Sequence, residues 1–129
     1  MRNNTFKLAE LFCGPGGLSL GLVSASASDA SGRNYIIKSV WANDIDEDSC
    51  KTYARNIHDG ERANVVCAPV ETIDFEKVPS FDVLAFGFPC NDFSVVGEQR
   101  GFNGKYGPLY AYGVKAVSIH NPKWFIAEN

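Results

Sequence analysis

Short apolar runs alternate with helical patterns along this chain, and the two periods predict a succession of βα units. Phe6 to Phe12 reads as a first strand. The glycine turn Cys13-Gly14-Pro15-Gly16-Gly17 leads from it into a helix carrying Leu18, Leu22 and Ala25 on one face. Ser24 to Ser31 is a poor helix former, because serine and aspartate side chains compete for backbone hydrogen bonds, and Gly32 marks a stop. A second strand covers about Tyr35 to Ala42, and Asp46 is placed to cap the following helix. In that helix Cys50, Tyr53, Ala54 and Ile57 recur at i, i+3, i+4 and i+7, the spacing of a buried stripe. Its acids, Glu47 and Asp48, precede its bases, Lys51 and Arg55, as the helix dipole favours. Ala63 to Cys67 predicts a third strand, Phe81 to Phe86 a fourth, Leu109 to His120 a helix and Trp124 to Ala127 a last strand. This alternation predicts an α/β fold with a mainly parallel sheet.

Composition narrows the class. A chain of 129 residues has room for one domain. Its 45% hydrophobic and 21% charged content is that of a soluble globular protein. No apolar run approaches the roughly eighteen residues of a membrane span, and Met1-Arg2-Asn3-Asn4-Thr5 lacks the pattern of a secretory signal. A cytoplasmic protein, with no membrane partner, is the expectation. Cys13, Cys50, Cys67 and Cys90 stand far apart, with no C-x-x-C pair and only His58 and His120 beside them. That argues against a metal site and against a disulfide framework. Net charge is −3, so nucleic-acid binding would need a local basic patch or a part of the protein not present here.

Three places carry candidate chemistry. The strand Val83-Leu84-Ala85-Phe86 ends in Gly87-Phe88-Pro89, and Cys90 follows at once. A thiol on a stiff elbow at a strand's carboxyl end sits where open α/β sheets keep their clefts, as a nucleophile requires. The alternative is a small buried hydrophobe, the commoner fate of a free cysteine. The glycine turn is the second place, since it leaves backbone N–H groups facing a phosphate or carboxylate. It departs from G-x-G-x-x-G, because Ser19 holds the third glycine position, and a turn with no ligand remains the competitor. The third is Asp44, at the end of the second strand, where Rossmann-type folds bind a ribose diol. By itself such an acid more often starts a helix than binds a ligand.

Together these residues resemble the DNA (cytosine-5) methyltransferases, of the kind found in restriction-modification. The resemblance runs through Glu10-Leu11-Phe12-Cys13-Gly14-Pro15-Gly16-Gly17 and Val40-Trp41-Ala42-Asn43-Asp44. It is strongest at Gly87-Phe88-Pro89-Cys90-Asn91-Asp92-Phe93-Ser94, with Gly97 and Gly101, and closes with Phe125-Ile126-Ala127-Glu128-Asn129. It implies a Rossmann-like methyltransferase fold and S-adenosyl-L-methionine as cofactor. Phe12 would pack on adenine, Ile45 would cover its other face, Gly14 and Gly16 would admit the methionine end, and Asp44 would take the ribose. Glu10, Leu11, Gly17, Val70, Gly87, Pro89 and Leu109 complete the implied cofactor site. Phe12, Ile45 and Leu109 could instead be core residues. Cys90 would attack C6 of a flipped-out cytosine, Glu128 would assist at N3, and Ser94, Arg100 and Lys105 would contact double-stranded DNA. For Arg100 and Lys105 the plain alternative is two solvated loop charges.

The chain also departs from the family pattern. Pro69 stands where an acid usually holds the adenine amino group, with Glu71 as the substitute, and Glu10 replaces an aspartate. Ser24 to Asn34 reads as an insertion. Further strands, an arginine-bearing motif and the target-recognition domain are absent, so residues 1–129 read as the amino-terminal portion of the catalytic domain. The sheet is expected to be incomplete, with about five strands and a bare edge after the last. Such a chain is expected to be inactive without a second chain, or further sequence, that carries the remaining motifs. The expected location is the bacterial cytoplasm or the nucleoid. An RNA cytosine-5 methyltransferase, a nicotinamide-dependent oxidoreductase using NAD, and a non-catalytic adenosine-binding subunit are the alternatives.

Overall fold

Strand β1 (Asn3–Leu11) runs through the middle of the sheet because Leu8, Ala9 and Leu11 leave its second half nothing to hydrate except Glu10. The computed structural model describes residues 3–89 and 108–129. On one side of β1 lies β3 (Asn34–Asp44), parallel and paired from Asn3↔Asn34 to Leu11↔Asn43. On the other side lies β5 (Val83–Gly87), with β6 (Trp124–Glu128) parallel outside it. The outer edge of β3 is shared by two short strands. β2 (Ser26–Ser28) pairs antiparallel with its amino-terminal part, and β4 (Val65–Cys67) pairs parallel with its carboxyl-terminal part. The order is therefore β2-β3-β1-β5-β6, with β4 also on β3.

β2 lies within the stretch from Ser24 to Asn34 that reads as an insertion, where the hydrophobic pattern predicted no strand. Asp29 builds the turn: its carboxylate accepts from the backbone N–H groups of Ser31 and Arg33 and from the Tyr35 hydroxyl. Gly32 supplies the left-handed residue, at φ +81°. These contacts are local but aperiodic, so hydrophobic patterning misses them. Helix α1 (Gly17–Ser24) also ends earlier than expected, so that Ala25 is an exposed C-cap rather than part of its apolar face.

Helix α2 (Glu47–Ile57) follows its sequence signals closely. Asp46 accepts the Ser49 N–H at 2.8 Å as N-cap, and Cys50, Tyr53 and Ala54 are buried. α1 and α2 cover one face of the sheet, where Leu18, Leu22 and Val23 meet Leu8, Val83 and Ala85, and α2 packs on Ala42 and Val65. Helix α3 (Tyr110–His120) covers the other face, over Leu84, Phe86 and Phe81. Gly113 makes that approach possible, since a Cβ there would lie 2.5 Å from the Phe86 ring. β6 is left largely uncovered on both faces: Trp124 is 51%, Phe125 60% and Ile126 37% exposed.

Candidate functional site

The carboxyl ends of β1, β3, β4 and β5 converge on a cavity of about 410 Å³. Of the residues expected at a cofactor site, Phe12, Asp44, Ile45, Val70, Gly87, Pro89 and Leu109 line it. Asn43 and Ala68 line it as well, and both were missed from the sequence. Pro69 and Glu71, the two residues at issue for the adenine amino group, also face it.

The wall is held by backbone stitching between strand ends. Cys13 N–H donates to the Asn43 carbonyl at 3.0 Å, which ties the glycine turn to β3. Asp44 then fixes the turn directly: Oδ2 accepts Gly14 N–H at 2.8 Å, and Oδ1 accepts Asp46 N–H at 2.9 Å. Each carboxylate oxygen keeps acceptor capacity for a ligand hydroxyl. Asn43 is buried, and its amide donates to the carbonyls of Val66 at 2.8 Å and Ala68 at 2.9 Å, fixing the segment after β4. Its place beside Asp44 at the carboxyl end of β3 was the available signal for it. Phe12 takes φ +56°, a left-handed conformation that costs a non-glycine residue energy and here turns the chain from β1 into the turn.

The glycines differ in purpose. Gly14 (φ +53°) has open space where a Cβ would stand. Gly16 (φ +105°) does not: a Cβ there would meet Tyr53 at 3.0 Å and Ile57 at 3.2 Å. Its missing side chain therefore serves the packing of turn against α2. Gly17 begins α1 and is exposed. Glu10 and Leu11 lie behind the turn rather than in the cavity wall, Leu11 in the core and Glu10 at 2% exposure on the face under α1 and α2.

Glu10 accepts the Ser19 hydroxyl at 2.5 Å, yet burial pushes its carboxyl up to about 7, with the Asp44 charge adding to the rise. Burial, followed by the charges of Asp44 and Glu10, also pushes the Cys13 thiol up, so Cys13 stays protonated and unreactive near neutral pH. A raised carboxyl favours the folded state most below its unfolded value and loses that advantage as pH climbs to the folded one. Between about pH 4.5 and about pH 7 the Glu10 contribution should therefore fall by about 3 kcal/mol. Urea denaturation of the chain across that window, compared with Glu10→Gln, measures it; equal pH slopes in the two proteins would refute it.

At the far side of the sheet, Glu128 ends β6 in register with Gly87. Its Oε2 lies 3.1 Å from the point a Gly87 Cβ would occupy, so glycine there makes room for the carboxylate. Gly87 is three residues before Cys90 in the chain. Cys90, Ser94, Arg100 and Lys105 lie outside the described residues. Among the described residues, no three His, Cys, Asp or Glu side chains come together as metal ligands would, and no helix is long and apolar enough to cross a membrane.

The sequence matches the family model for C-5 cytosine-specific DNA methylase over residues 6–129. The Type II methyltransferase M.BbvI of Brevibacillus brevis is 48% identical over 129 residues, covering 96% of this chain and 34% of the relative. The Type II methyltransferase M.Eco47II of Escherichia coli is 39% identical, covering 98% of this chain and 28% of the relative. The chain thus spans about a third of the length of these relatives. The crystal structure of S. pombe Dnmt2 methyltransferase superposes with a TM-score of 0.51 at 15% identity, over 87% of this chain and 30% of that one, and shows a shared fold. With the family match running from β1 to the end of β6, the chain belongs to the C-5 cytosine-specific DNA methylases.

Proposed function

We propose that this chain is the cofactor-binding and cysteine-bearing part of a DNA cytosine-5 methyltransferase that uses S-adenosyl-L-methionine. The observation that carries the reading is the cavity bounded by Phe12, Ile45 and Asp44, with Gly87 and Pro89 at its margin leading to Cys90. Its volume is in the range of small-ligand sites, and an aromatic wall beside an acid with free lone pairs suits an adenosine. Phe12 and Ile45 would hold the adenine, Asp44 the ribose and the glycine turn the methionine end.

In this reading the Cys90 thiolate adds to C6 of a flipped-out cytosine, forming a C–S bond and moving the ring electrons toward C5. Glu128 shares a proton at N3 as that charge develops. The cofactor supplies the methyl group that C5 takes. Loss of the C5 proton then lets the C–S bond break, and the Cys90 thiolate is regenerated. Ser94, Arg100 and Lys105 would contact the DNA backbone on the loop after Cys90. Further sequence or a second chain would supply target recognition. The uncovered β6 edge is consistent with such a seat, and the isolated chain should not methylate DNA. The bacterial sources of the relatives fit a site of action in the cytoplasm or nucleoid.

Isothermal titration of the chain with S-adenosylhomocysteine and with NAD tests the cofactor assignment. Binding of the first and not of the second is expected. Binding of NAD alone would replace this reading with an oxidoreductase.

A further inference from the structure

Beneath the glycine turn, a line of hydrogen-bonded side chains crosses four elements without taking part in the methyl-transfer chemistry. Ser19 Oγ on α1 donates to Glu10 Oε1 on β1 at 2.5 Å and bonds Tyr53 Oη on α2 at 2.8 Å. Tyr53 Oη bonds Ser39 Oγ on β3 at 2.8 Å, and Ser39 Oγ bonds His58 Nε2 at 2.8 Å. Glu10, Ser19, Tyr53 and Ser39 are buried, and the line meets solvent at the partly buried His58.

Each hydroxyl carries one proton, so the direction of the line is set at its ends. An ionised Glu10 only accepts. Ser19 then donates to it and accepts from Tyr53, Tyr53 accepts from Ser39, and Ser39 accepts from an Nε2–H of His58. Protonation of Glu10 at Oε1 turns that atom into a donor and reverses every link. Ser39 then donates into a bare Nε2, and the imidazole proton sits on Nδ1. Protons balance in the exchange: one enters from water at Nδ1, each link passes one inward, and one arrives on Glu10.

We propose that Ser19, Tyr53 and Ser39 form a proton relay that ties the charge of Glu10 to the ring state of His58 and positions the first turn of α1 under the glycine turn. Tyr53 joins the two roles, because the ring that carries the relay hydroxyl is also the surface against which Gly16 packs. The other ionisable groups near Glu10 are Asp44 on β3, Cys13 in the turn and Tyr53 itself. Beside His58 stand Asp59 and Lys38, whose opposite charges act on the ring in opposite directions. The burial that raises Glu10 toward neutrality places the reversal in an accessible pH range. The functional consequence for the turn rests on the cofactor reading, whereas the relay itself does not.

The test uses the ligand-free chain and nitrogen NMR of the His58 ring, titrated from about pH 8.5 to about pH 5.5. The neutral ring should pass from the Nε2–H to the Nδ1–H tautomer with the same midpoint as the Glu10 carboxyl. Tyr53→Phe keeps the ring and removes the hydroxyl, so the tautomer should stop following Glu10. Exchange of the Leu20 amide, bonded to the Gly16 carbonyl at 2.7 Å, should quicken about fivefold in that variant. Ser39→Ala cuts the line on the other side of Tyr53 and carries the test if Tyr53→Phe fails to fold. A His58 ring that keeps one tautomer throughout the Glu10 titration, or a cut variant that keeps the linkage, overturns the relay. Failure of S-adenosylhomocysteine to bind the wild-type chain would overturn the cofactor reading and leave these ligand-free results standing.

Discussion

Replacing Cys90 with alanine will lower methyl transfer by about 10⁴-fold or more, measured in a chimera that joins residues 1–129 to the rest of M.BbvI. The size of the effect follows from the chemistry. C5 of cytosine is a weak nucleophile, and only addition of a thiolate at C6 makes it electron-rich enough to take a methyl group. Nothing else in the proposed site supplies that addition. Glu128 can share a proton at N3, but a proton alone makes the ring poorer in electrons. Serine at position 90 should be nearly as inactive as alanine, because a hydroxyl is far less ionised than a thiol near neutral pH. The covalent step has its own readout. DNA carrying 5-fluorocytosine should form a stable adduct with the Cys90 protein, since fluorine cannot leave C5 as a proton does, and none with Cys90→Ala. A Cys90→Ala chimera with undiminished turnover would remove the cysteine from the mechanism.

Asp44→Ala should weaken S-adenosylhomocysteine binding by about 100-fold, with Asp44→Asn losing about tenfold. The sequence alone offers a ligand acid or a helix-start acid; the structure shows Asp44 anchoring backbone, and the proposed ribose contact would be its second duty. Asp44 accepts N–H groups from Gly14 and Asp46, and so holds both the turn and the start of α2 in place. Hydrogen bonds to a charged acceptor contribute about 1.5–3 kcal/mol each, so alanine would remove the turn's anchor as well as the proposed ribose contact. Asparagine keeps one acceptor oxygen and therefore part of the anchoring. Calorimetric titration of both variants, beside their thermal unfolding, separates the two duties. Wild-type affinity in Asp44→Ala would show that the carboxylate neither touches the ligand nor shapes its site.

Much of this arrangement was legible in the residues. The βα order, the Asp46 cap, the buried stripe of α2 and the position of Asp44 at a strand end follow from short-range signals, whereas Phe12 and Leu109 were expected near that site only from the family resemblance. Such signals report what a residue needs from its immediate chain neighbours, a face to bury or a donor to satisfy. The family motifs added the expected roles of Cys90 and Glu128, which no periodicity carries.

Other features came only with packing. Asn43 reaches Ala68 across 25 positions, Gly14 reaches Asp44 across 30, and Ser19 reaches Tyr53 across 34. A polar side chain at a given position has many chemically equivalent partners in a sequence, and only the stacking of helices on a particular sheet register selects one. For the same reason Glu10 could be named as part of the glycine motif but not placed. It lies on the face that α1 and α2 seal, between Ala42 and Ala85, because strand alternation puts it opposite the face that carries Leu11. Hydrophobic pattern thus determined which elements form and which residues stand at their ends. Close packing of those elements decided which buried polar groups hydrogen-bond to one another and which residues face the cavity.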